Sequence, residues 1–142
     1  MPDTLWAQVG AILTVLICAF AFLKGDDPER VGAGAYMLGW FAALLLQDDG
    51  PLDGIPSAIV GLDLTMLIVL SAIVWRWRPT WAVWACACQL LVVMSHVMSL
   101  IDVRPAVASF YTVINLASYG VLVSLGIGTF WAWQERRAAG LE

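Results

Sequence analysis

An all-α, polytopic bundle of five transmembrane helices is the fold this sequence predicts, on three observations. The chain is 61% hydrophobic and only 13% charged, with a mean hydropathy of +0.84. Soluble domains carry about 25% charged residues, and a core built from 142 residues could not hide so much apolar surface from water. The apolar residues also fall into five runs near the length of one hydrocarbon thickness, separated by short segments dense in Gly, Pro and Asp. Finally, the cations are distributed asymmetrically. Lys24, Arg30, Arg76, Arg78, Arg136 and Arg137 flank alternate loops that share one side, and only Arg104 falls on the other. By the positive-inside rule the shared side is cytoplasmic, so the N-terminus is expected outside and the C-terminus inside.

The first span covers residues 5–23 and is closed by Lys24. Ala19-Phe20-Ala21 has the small-x-small form of a signal cleavage site. The preceding Met1-Pro2-Asp3-Thr4 has no positive charge, however, so the span is read as a retained helix. Gly25 to Arg30 forms a polar turn, with Asp27 expected as N-cap and Pro28 as the first helical residue. The second span, 31–47, is short for a crossing and carries Ala35, Gly39 and Ala43 at four-residue spacing. Residues 48–56 are rich in turn formers and acids. The third span, 57–75, carries Ser57, Gly61 and Thr65 on one stripe, and Asp63 within its apolar run. Arg76-Trp77-Arg78-Pro79 ends it.

The fourth span, 81–101, has no acid, lysine or arginine and contains His96, the one histidine of the chain. Gln89 lies seven residues earlier, about 20° away around a helix. The fifth span, 106–133, carries Gly120, Ser124 and Gly128 at four-residue spacing, and a polar tail follows. Small residues so spaced let helices approach closely, so Ala35, Gly39, Ala43, Gly61, Gly120, Ser124 and Gly128 are the expected packing positions. Trp75, Trp77, Trp81, Trp84, Trp131 and Trp133 map to the cytoplasmic interface and read as anchors.

One constellation suggests chemistry. An ionisable residue inside a bilayer costs about 2.5–3.5 kcal/mol by insertion scales and marks a functional site by default. Asp63 lies about 9 Å below the outer end of its helix and His96 about 8 Å below the outer end of the next. On the fifth helix Tyr111, Asn115, Ser118 and Tyr119 share one face of the outer half. The expected polar cluster is therefore Asp63, His96, Gln89, Tyr111 and Asn115. The competing reading is a structural staple between helices, with Asp63 near enough to the interface to reach water.

Other chemistries find little support. One histidine, with no acid at chelating spacing, makes no metal site. Cys18, Cys86 and Cys88 all lie in apolar runs in the inner half, away from His96. No nucleotide-binding glycine loop, zinc-protease motif or nucleophile elbow is present, so no catalytic residue or cofactor is assigned and an enzyme is not expected. No basic patch suits nucleic acid. The expected setting is a bacterial inner membrane, with the bilayer and other membrane subunits, or copies of the same chain, as partners. The leading expectation for function is an accessory or scaffold subunit that packs through its small-residue stripes. The alternatives are a small ion or proton channel or transporter lined by the polar cluster, and a holin-like pore former.

Overall fold

The computed structural model describes residues 2–47, 57–101 and 107–141. These form a bundle of five helices, consecutive ones antiparallel: α1 (Pro2–Lys24), α2 (Asp27–Gln47), α3 (Ser57–Trp77), α4 (Thr80–Leu100) and α5 (Val107–Ala138). Each helix packs on its neighbours in sequence, and α5 returns to α1, so the five close into a ring. A further contact joins α2 to α5 across it. A core cluster draws on all five helices and includes Cys18, Ala33, Leu70, Ala85 and Leu125.

The bundle is apolar on the outside as well. Leu45, Ile68, Leu91, Leu116 and Ile127 are exposed, and Trp75 is 88% exposed. Such a surface suits lipid tails and not water. Helices α1, α3, α4 and α5 are long and apolar enough to cross a membrane, which makes this a multi-pass membrane protein. Five helices were expected to span. The second is as long as α3, but Asp27, Glu29 and Arg30 in its first turn keep it from the composition of the other four.

The turns follow from their residues. Gly25 donates to the Ala21 carbonyl at 2.9 Å and closes α1. Asp26, rather than Asp27, is the N-cap of α2. Its carbonyl accepts the first helical bond from Arg30 N–H at 3.0 Å, and its own N–H donates to Glu29 Oε2 at 2.9 Å. That is half of a capping box, and it moves Pro28 to the second helical position. Arg78 adopts a left-handed φ of 55° before Pro79, which makes a two-residue link between α3 and α4. The polar tail proves largely helical. Arg136 and Arg137 lie in the last turn of α5, where cations complement the helix dipole. Gly140, at φ 71°, then ends it with bonds from Gly140 N–H to Arg137 O and from Leu141 N–H to Arg136 O, a Schellman cap.

At the arginine-rich end Arg136 ties α5 to the α1–α2 turn through Asp26 and the Lys24 carbonyl. Trp81 departs from the expected anchoring role. It is 6% exposed, with its indole N–H donating to Glu29 Oε1 at 2.7 Å in the bundle interior. Trp75, Trp84 and Trp131 do face outward. Trp133 is half-buried and packs edge-on against Phe20, with Lys24 and Arg137 over its ring.

The small-residue positions divide into two kinds. A Cβ on Gly120 would stand 2.6 Å from Cys88 Sγ, and one on Gly128 would collide with the Trp81 ring. Both glycines are therefore required by the α4–α5 seam. Gly39 and Gly61 were expected to be packing positions too, but a Cβ on either would meet nothing within 4 Å. Gly61 is exposed, while Gly39 and Ala43 border a cavity.

Candidate functional site

Helices α3 and α4 run antiparallel across a two-residue link, which fixes their relative depth. Asp63 on α3 is thereby set opposite the interval between Gln89 and His96 on α4. The carboxylate bridges them. Asp63 Oδ2 lies 2.9 Å from His96 Nε2, and Oδ1 accepts from Gln89 Nε2 at 3.1 Å. Gln89 Nε2 also reaches the Asp63 carbonyl at 3.1 Å. Two donors with nearly the same helical phase thus clasp one acid from a single helix.

The buried imidazole determines the proton arrangement. His96 is 5% exposed, and its Nδ1 is buried with no hydrogen-bond partner. An N–H at Nδ1 would be an orphaned donor. The proton therefore belongs on Nε2, donated to Asp63, with a bare lone pair at Nδ1. The ring stands edge-on to Phe110 of α5, with centroids 5.9 Å apart.

The other flank of the carboxylate is open. The Asp63 side chain is 26% exposed, against 7% for His96. It faces a cavity of about 170 Å³ between α2, α3, α4 and α5, whose walls include Tyr36, Gly39, Trp40, Met66 and Ser118. The volume exists because α2 presents Gly39 and Ala43 there and no larger side chain fills the space. The Tyr36 hydroxyl donates to the Ser118 carbonyl at 3.4 Å and spans the cavity's α2–α5 side.

The structure brings Asp63, Gln89 and His96 together, and does not bring Tyr111 or Asn115 to them. Both are exposed on α5. The face they share with Ser118 and Tyr119 turns toward α1 and α2. The Tyr119 hydroxyl lies 3.0 Å from where a Gly10 Cβ would stand, and Ser118 meets Tyr36. Nearer the outer end the α1 residues Leu5, Trp6 and Val9 are themselves exposed, as is Tyr111. Phe110, one residue away, is the α5 side chain against His96.

Tyr36 and Trp40 were missed as site residues, although their four-residue spacing puts them on one face of the second span. Glu29 was missed as a buried acid; the Asp26-x-x-Glu29 spacing was its signal.

A larger cleft of about 1310 Å³ runs along the outside of the α4–α5 seam at the arginine-rich end, edged by Trp77, Trp84 and Trp131. Its interior acid is already satisfied, since Glu29 accepts from both Trp81 and the Asp26 N–H. The clasped carboxylate is therefore the stronger candidate site. Among the described residues, no three His, Cys, Asp or Glu side chains form a metal-ligand group. No known family, curated protein or solved structure matches the chain.

Proposed function

We propose that the protein is a small carrier or channel of a bacterial inner membrane that accepts positive charge, a proton or a small cation, at Asp63. One observation supports this above the others. The carboxylate is held on one flank by His96 and Gln89, and the other flank faces a mostly apolar cavity. A net negative charge inside the bilayer is costly, and a proton or cation arriving through the cavity removes that cost. The cation distribution supports a cytoplasmic arginine-rich end, so the site opens in the outer half of the membrane.

The test is proton flux into proteoliposomes loaded with a pH-sensitive dye, driven by a potassium diffusion potential negative inside. The lumen should acidify faster with the wild-type protein than with Asp63→Asn, which keeps the shape and loses the charge. Equal rates would contradict the reading.

A second reading, a scaffold that assembles with itself or with other subunits, is supported by the exposed α3 stripe. Gly61 has open space around it, and Thr65 turns its hydroxyl back to the Gly61 carbonyl at 2.8 Å, leaving a flat surface. Gly61→Leu should then shift the particle to smaller size in detergent. An unchanged size distribution would remove the scaffold reading.

A further inference from the structure

We propose that the cavity beside Asp63 is a binding site for a small organic ammonium ion, a methylated or primary amine carrying one positive charge. This rests on the reading of Asp63 as the acceptor of positive charge and names the cargo. The charge of the site excludes anions, because the free flank of the carboxylate is the dominant electrostatic feature of the wall. The wall chemistry then separates organic from inorganic cations. A hard metal ion needs about six oxygen ligands in an ordered shell. Apart from Asp63, the side-chain oxygens on this wall belong to Tyr36, Gln89 and Ser118, and the remainder is Trp40, Met66 and aliphatic surface. An ammonium group with carbon substituents matches that mixture. Its charge meets the carboxylate, its methyl or methylene groups meet Met66 and Ile59, and the rings of Tyr36 and Trp40 supply π surface to the cation.

Size sets a further limit. At about 170 Å³ the cavity is smaller than the roughly 300–1,000 Å³ of sites for drug-sized ligands, so bulky aromatic cations are excluded. Gly39 borders the cavity, and a Cβ there would meet nothing within 4 Å. Filling this position closes the site without touching a charged residue. The His96–Asp63–Gln89 clasp has a positioning role: it holds the carboxylate beside the cavity.

The experiment is equilibrium dialysis of radiolabelled tetramethylammonium against the detergent-solubilised protein, with tetraphenylphosphonium as the oversized competitor. Wild type should bind tetramethylammonium saturably, one per chain, and tetraphenylphosphonium should fail to displace it. Asp63→Asn should weaken binding at least tenfold. Gly39→Leu should abolish it while its thermal unfolding midpoint stays at the wild-type value. Absence of saturable binding to wild type, or undiminished binding to Gly39→Leu, would overturn the assignment. If Asp63-dependent proton flux persists without tetramethylammonium binding, the ammonium assignment fails and the charge-accepting role of Asp63 stands. If binding is present and flux is absent, the cargo site stands and transport fails.

Discussion

The α4–α5 seam and the α2–α3 seam are written in the same sequence idiom and built in opposite ways. Gly120, Ser124 and Gly128 recur every four residues in α5, as Ala35, Gly39 and Ala43 do in α2. In the first seam the missing side chains are replaced by a neighbour. Cys88 sits over Gly120, and the Trp81 ring lies on Gly128 with its N–H on Glu29. In the second seam no neighbour enters, and the missing side chains leave the cavity beside Asp63. Small residues thus license close approach without compelling it. Approach needs a complementary bulky group on the partner helix, and α4 supplies one where α3 does not.

The largest expected effect belongs to the tight seam. Gly128→Leu forces the Trp81 ring out of its slot and strips the buried Glu29 carboxylate of a donor. Overpacking and a lost charged hydrogen bond together should cost about 3 kcal/mol or more. Thermal unfolding in detergent, followed by circular dichroism, should show a large drop or a protein that does not fold. Gly120→Ala is milder. Its Cβ meets Cys88 Sγ at 2.6 Å, so a single sulfur must shift, at a cost of about 1–2 kcal/mol. Pairing it with Cys88→Ala should recover most of the loss, and strictly additive losses would argue against that contact.

In the loose seam, the clasp should behave as a coupled pair. Asp63→Leu and His96→Leu should each cost about 1–3 kcal/mol by leaving the partner unsatisfied, and the double mutant should cost less than the sum. Additive losses would mean that the two side chains do not depend on each other. The smallest effect is expected at the cavity wall. Gly39→Leu should stay within about 1 kcal/mol of wild type, since the space is free and leucine favours the helix. A loss as large as that of Gly128→Leu would show that the two seams are packed alike.

These contrasts mark what could be read without coordinates. Five apolar runs between turn-forming segments specify the helices, and consecutive antiparallel helices specify matched depth. Depth was sufficient to place Asp63 beside His96, and helical phase to add Gln89. Rotation of α5 about its own axis was not legible. It is set by Gly120 and Gly128 docking on α4, which turns Ser118 and Tyr119 toward α2 and α1 and leaves Tyr111 and Asn115 outside. Nor could the fate of each small-residue stripe be read, because it depends on the partner's side chain at one height. Trp81 shows the same gap. Its position near the interface suggested an anchor, and only the buried Glu29 explains why it points inward.

Cation entry to the cavity beside Asp63 is the property on which the proposed function depends. Substituted-cysteine accessibility tests it most directly. In a background with Cys18, Cys86 and Cys88 replaced by alanine, Gly39→Cys should react with a methanethiosulfonate reagent carrying trimethylammonium. Each rate being divided by that reagent's rate with a free small thiol, the cationic reagent should exceed the sulfonate-bearing anionic one by about tenfold or more, the equivalent of about 1.4 kcal/mol of attraction by Asp63. That preference should disappear when Asp63→Asn is added. A Gly39→Cys thiol that resists both reagents, or reacts with both at equal rates, would contradict the claim.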